Sequence, residues 1–192
     1  PDGNKIVVSG LVDGTSDLYM YYLDTGDVIK LTSGLTADLH PSWSSDGKFI
    51  VFSQEKFNTM WNGRKYSFNL ALYDLKSGTI REIDVFNGAF NMDPCFSNDN
   101  KSVFFLSDAD GMRNMYQYDL VSGRVLRLTD YMTGISGITA YSPAISASVK
   151  SDIIAYNYYF NNRYQIILAG RSDFKGIEVD PDYLNFYAGT LP

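Results

Sequence analysis

The feature that most constrains this chain is an internal repeat. Residues 18–32 (LYMYYLDTGDVIKLT), 70–84 (LALYDLKSGTIREID) and 115–129 (MYQYDLVSGRVLRLT) align without gaps. Tyr21, Tyr73 and Tyr118 coincide, as do Leu23, Leu75 and Leu120, and Gly26, Gly78 and Gly123. Tyr73 follows Tyr21 by 52 positions and Tyr118 follows Tyr73 by 45, the period of repeat architectures. Each unit reads as strand, turn, strand: alternating apolar residues, a polar pair with glycine, then alternation again. Glycine suits the turn because a tight hairpin needs a positive φ.

A second unit precedes the hairpins. Residues 40–53 read HPSWSSDGKFIVFS, 93–106 read DPCFSNDNKSVFFL, and 142–156 form a looser copy, SPAISASVKSDIIAY. Its second half opens the chain as PDGNKIVVS. The pairs Asp2-Gly3, Asp46-Gly47 and Asp99-Asn100 are turn pairs, each leading into a short apolar run that should be covered on both faces. Joined, the units make a four-strand repeat A to D, the size of a propeller blade. The expected fold is an all-β propeller of four-stranded antiparallel blades, about four blades or part-blades being visible. Residues 1–32 form a partial blade (B to D), 33–84 and 85–129 whole blades, 130–170 a partial blade (A to C), and 171–192 a C-terminal linker or closing segment. A blade exposes two apolar faces that only neighbours can bury. The chain therefore reads as part of a larger ring, completed by further blades of the same chain or by a second copy.

Composition narrows the function. Sixteen basic against 22 acidic side chains give a net charge of −6, so nucleic acid is not an expected partner. One cysteine and one histidine cannot build the usual structural zinc sites, and no metal or cofactor is expected. The uncharged stretch 131–149 is too rich in Ser, Thr and Gly for a bilayer helix, so this segment should not insert into a membrane. Any targeting peptide lies outside the sequence.

The pattern P-x-[WF]-S-x-D-x-K, an apolar run, then Y-D-L-x-S-G resembles the TolB-like propeller repeat, a relative of WD-type propellers without their Trp-Asp signature. The resemblance covers residues 1–169; in the fourth repeat Ser148-Val149 stand where Asp-Gly is the rule. That repeat, GITAYSPAIS then IIAYNYYFNNRYQIILA, also resembles the closing blade of bacterial envelope proteins in which a propeller precedes an outer-membrane barrel. The resemblance implies binding or gating without chemistry, in the periplasm or at the outer membrane of a Gram-negative bacterium.

The residues themselves offer little chemistry. No G-x-S-x-G elbow occurs; Gly134-Ile135-Ser136-Gly137 misses the spacing. The sole imidazole, His40, precedes Pro41 at the start of a strand A, where Asp93 and Ser142 hold the corresponding positions; these three are read as channel-mouth residues. Asp108-Ala109-Asp110-Gly111 resembles a calcium loop, but its twelfth position is Asp119 in a strand, so a hairpin turn is the better reading. Cys95 reads as a buried, unreactive thiol and Trp43 as a buried strand A aromatic matched by Phe96.

The informative departure is an insertion between strands B and C of the second repeat, residues 55–68, where the first and third have short polar loops at 10–17 and 107–114. Alternating strand directions bring B–C and D–A loops to one end of the ring, gathering Phe57, Trp61, Arg64, Tyr66, Phe86, Phe90, Tyr131 and Met132. Aromatics and arginine on loops are the composition of a binding surface; a compact loop folded over its own side chains is the competing reading. The expected function is a non-catalytic interaction scaffold holding a protein or peptide by this rim. The alternatives are a substrate-screening domain of a larger peptidase and a binder of glycans or small ligands.

Overall fold

The computed structural model describes residues 1–61 and 64–187. Every described strand pairing within its sheets is antiparallel, and the strands form four sheets in chain order. The first contains β1 (Lys5–Val12), β2 (Thr15–Tyr22) and β3 (Val28–Lys30). The second contains β4 (Asp38–Trp43), β5 (Phe49–Trp61), β6 (Arg64–Asp74) and β7 (Ile80–Ile83). β8 (Met92–Phe96), β9 (Ser102–Ser107), β10 (Asn114–Asp119) and β11 (Val125–Arg127) make the third, and β12 (Ile145–Ala147), β13 (Ile153–Phe160) and β14 (Arg163–Gly170) the fourth. These are propeller blades in the order the repeat predicts, with Tyr21, Tyr73 and Tyr118 at matching register opposite Ile6, Ile50 and Val103.

The repeat motifs are turn chemistry. In S-x-D-x-K, the Ser44 hydroxyl donates to Asp46 at 2.7 Å and accepts from the backbone N–H of Phe49 at 2.9 Å; Ser97 repeats this with Asp99 and Ser102. In Y-D-L-x-S-G, Asp74 accepts from the N–H groups of Lys76 and Ser77, and Asp119 from those of Val121 and Ser122. Each network ties a turn whose backbone donors the strands cannot satisfy.

Three apolar cores join the four blades pairwise. Leu18 and Met20 pack on Ile50, Phe52 and Ala71; Val51, Leu70 and Leu72 on Phe96, Val103 and Phe105; Phe104 and Met115 on Ile154 and Tyr156. The two remaining faces are open. Ile6 is 44% exposed although its repeat mate Ile50 is fully buried, and Val8, Tyr21, Ile153, Ile166 and Leu168 are likewise exposed. Coverage of the apolar runs on both faces therefore holds only for the inner blades, because the outermost blades have a neighbour on one side.

Other departures have local causes. Residues 10–17 are mostly strand, since β1 and β2 pair through to Val12 and Thr15. Residues 55–61 and 64–68 continue β5 and β6 as the arms of one long hairpin, with Glu55 opposite Phe68 and Phe57 opposite Tyr66, so the described part of the insertion is sheet and not loop. Trp43 is only half-buried, because it faces Met20 and Tyr22 across a groove where the first blade presents Lys5 in the place of Phe49. The segment after β14 makes a 3-10 turn (Arg171–Asp173) and then β15 (Ile177–Val179), which pairs with β11 as a fifth strand of the third sheet. Pro181 then accepts from the Phe86 N–H, and Leu184 and Phe186 pack on the core between the second and third blades. As far as Phe186 the tail is thus docked on the third blade and is no solvated linker.

Candidate docking site

The site grows from the innermost strands. Pro41 and Pro94 lack the N–H a ladder needs, and each sits in a bulge where register shifts, between Leu39 and Ser42 and between Met92 and Cys95. The preceding residues, His40 and Asp93, adopt positive φ of 53° and 52°. The bulges turn both side chains out of the pleat and toward the next blade. His40 Nδ1 lies 3.2 Å from Asp93 Oδ1, and its Nε2 donates to the Tyr141 carbonyl at 2.8 Å. Asp93 Oδ2 accepts from the Ala144 N–H at 2.9 Å. Equivalent repeat positions thereby link the second blade to the third and the third to the fourth. Burial pushes the Asp93 carboxyl above its ordinary range, against the opposing pull of His40 and of the Ala144 N–H. Ser142 stays within its own loop, bonded to Thr139. A shallow cavity of about 190 Å³ runs beside the pair, lined by His40, Ser42, Asp93, Cys95, Ile145 and Ser146. Cys95 is buried, which pushes its thiol up to about 12, the inert state expected of it.

Above this pair an aromatic cluster spans three blades. Tyr66 and Phe68 project from one face of β6, two residues apart. Phe90, from the loop before β8, stacks on Tyr66 at 5.7 Å and meets Phe68 at 5.8 Å. Tyr141, from the loop before β12, lies 6.3 Å from Phe68, and its hydroxyl is 3.4 Å from that of Tyr66. The Tyr141 loop is held by His40, by Arg113 donating to the Ala140 carbonyl, and by Gly137, where a Cβ would fall 2.4 Å from the Ser142 carbonyl oxygen. Tyr66 and Tyr141 keep exposed edges, and Phe57, opposite Tyr66, is 68% exposed.

The rim residues expected from the sequence divide accordingly. Phe57, Tyr66 and Phe90 come together on or beside the long hairpin. Met132 is exposed at the same end, on the loop between the third and fourth blades. Trp61 and Arg64 oppose one another at the last described pair of that hairpin; their side chains lie outside what is described. Phe86 is a correction: it is 2% exposed and edge-on to Tyr116 at 4.9 Å, because the chain there turns inward to fill the core between two blades. Tyr131 also belongs to an interblade contact, 4.4 Å from Tyr158 and hydrogen-bonded to the Tyr156 hydroxyl, so it serves packing. The sequence reading missed Tyr141. The available signal was its place directly before Ser142-Pro143, where a D–A loop enters an inner strand.

A blade arc with inner-strand bulges and an aromatic loop end defines a propeller, and comparison with solved structures gives its type. The chain superimposes on TolB from Acinetobacter baumannii with a TM-score of 0.69 at 23% identity, over 93% of this chain and 40% of that one. For a putative TolB from Agrobacterium tumefaciens the TM-score is 0.71 at 20% identity, over 93% and 61%. The fold is that of a TolB-like β-propeller, of which this chain represents a part. No protein-family model matches the sequence. Dipeptidyl-peptidase 5 of Porphyromonas gingivalis is 24% identical over 140 residues, 67% of this chain, and the chain spans only 20% of that protein's length. Among the described residues no helix is long and apolar enough to cross a membrane.

Proposed function

We propose that this chain is a non-catalytic propeller scaffold of the bacterial cell envelope that holds a protein or peptide partner at its loop-rich end. One observation carries the reading: elements of three blades converge to expose Tyr66 and Tyr141 beside Phe57. Exposed aromatics on rigid strands bury large apolar area at little entropic cost when a partner covers them. The His40–Asp93 link and the Gly137–Ser142 contact hold that surface in place before the partner arrives. The envelope setting is supported by the likeness in fold to TolB.

The test compares the wild type with Phe57→Ala and Tyr141→Ala as immobilised baits in envelope extract, with quantitative mass spectrometry. One protein should be retained by the wild type and depleted at least tenfold by both variants, whose melting temperatures stay unchanged. Equal retention by all three baits would remove the rim from the account. A second reading, a substrate-screening domain of a larger peptidase, is favoured by the sequence likeness to dipeptidyl-peptidase 5. It predicts that the partner on the rim is a peptide substrate passing toward a catalytic domain, and that the depleted species are peptides and not one folded protein.

A further inference from the structure

At the end of the arc away from the rim, where the A–B and C–D turns lie, a notch recurs between successive blades. Between the second and third blades it is a cavity of about 410 Å³. Both of these blades have a neighbour on either side, so blades beyond the arc do not border it. Phe49 and Leu72 of the second blade face Phe96 and Leu120 of the third across an apolar floor, and Arg81, paired with Leu72 across β6 and β7, lines the same wall. The tail runs along the outside of this interface through Pro181, Leu184 and Phe186, and none of its described residues lines the cavity. The other polar groups of the wall are engaged. Asp46 accepts from the Ser44 hydroxyl and pairs with Lys48 at 3.0 Å, and Asp74 accepts from the N–H groups of Lys76 and Ser77. Thr79 bonds Ser77, and Asn100 spends both ends of its amide on Ser45. Among the described residues Arg81 has no such partner.

The repeat shows what such a notch takes. In the third blade Gln117 and Leu126 hold the positions of Leu72 and Arg81, and there the chain's own residues 171–176 cover them. Arg171 donates to Gln117, and a Cβ on Gly176 would fall 3.5 Å from the Leu126 side chain. A cation thus meets an amide, and a small neutral residue meets a leucine. Between the second and third blades both characters are exchanged, with leucine in place of the amide and guanidinium in place of the leucine. We propose that this notch binds a small monocarboxylic acid, its apolar body lying among Phe49, Leu72, Phe96 and Leu120 and its carboxylate on Arg81. The volume lies within the range of small-molecule clefts, roughly 300–1,000 Å³, and a guanidinium receives a carboxylate through two parallel N–H bonds. The Ser44 hydroxyl and the Lys76 N–H hold Asp46 and Asp74 below the ordinary carboxyl range. Both therefore stay charged on the same wall, and a single negative charge suits the notch better than a phosphate dianion.

The probes are 3-phenylpropionate and, with the same body and the opposite charge, 3-phenylpropylamine, each titrated into the full 192-residue chain and followed by methyl and guanidinium NMR. The acid should shift Leu72, Leu120 and Arg81 saturably, and the amine should bind at least tenfold more weakly. Arg81→Gln, at an exposed position, should weaken the acid at least tenfold while the melting temperature stays unchanged. Arg81→Glu should reverse the preference in favour of the amine. Equal binding of acid and amine, or an affinity for the acid that Arg81→Gln leaves unmoved, would overturn the proposal. Shifts centred on Ile6, Val8, Ile166 and Leu168 would also overturn it, because they would place the acid on the open blade faces.

Discussion

His40 donates from Nε2 to the Tyr141 carbonyl and sets Nδ1 3.2 Å from Asp93 Oδ1, a charge contact without hydrogen-bond geometry. Removing it leaves a buried carboxyl without its imidazole and a carbonyl without its donor. His40→Ala should therefore cost about 2–4 kcal/mol in urea unfolding, the range for a broken buried polar link. Phe86 and Phe57 make an opposed pair. Phe86→Ala should cost about 3–5 kcal/mol as a core deletion, while Phe57→Ala should stay within about 0.5 kcal/mol as a surface change. A large stability loss at Phe57 would mean that the hairpin packs on its own aromatic. Acid response is shared by the A–B turns and by the C–D turns, where backbone N–H groups hold the Asp74 and Asp119 carboxyls low. The Ser44 and Ser97 hydroxyls hold the Asp46 and Asp99 carboxyls below their ordinary value of 3.8. A depressed carboxyl contributes fully above the unfolded value and loses its contribution as pH falls through the lower folded one. The urea midpoint of the wild type should drop on acidification below about pH 4, and Asp46→Asn with Asp99→Asn should flatten that drop.

At the scale of elements, the tail is the part of the molecule most open to test. β15 covers the outer edge of β11, and Val179, Leu184 and Phe186 rest on the core that holds Phe86. A chain ending at Phe174 should unfold at lower urea, with faster amide exchange at Val125, Leu126 and Arg127; unchanged exchange there would mean that the tail adds nothing to the third blade. Its role was hidden in the sequence because Ile177–Val179 is a three-residue strand among aspartates with no mate in the repeat. The blades were legible for the opposite reason: Tyr21, Tyr73 and Tyr118 fix strand, face and register together. The long β5–β6 hairpin was half-legible. Phe57, Tyr66 and Phe68 alternate and Asn62-Gly63 is a hairpin pair in sequence, but the length of the insertion suggested a loop. Of the site, the matching of His40 with Asp93 could be read from the repeat. Their contact, and the meeting of Tyr66 with Tyr141, depends on how successive blades are rotated, which no local pattern records.

For the whole molecule, three cores for four blades make an arc, with one uncovered face on the first blade and one on the fourth. The exposed Ile6 and Val8 stand where the second blade buries Ile50 and Phe52, so the open face has the chemistry of an interior surface. Soluble proteins rarely leave such patches uncovered. Placed in a longer chain, these faces would meet further blades; alone, they should drive association between copies. The most direct measurement is small-angle scattering on the 192-residue chain with in-line chromatography across a dilution series. The arc requires an open profile at the lowest concentration and growing mass as concentration rises. A compact, closed, monodisperse particle of 21.6 kDa at every concentration would contradict it.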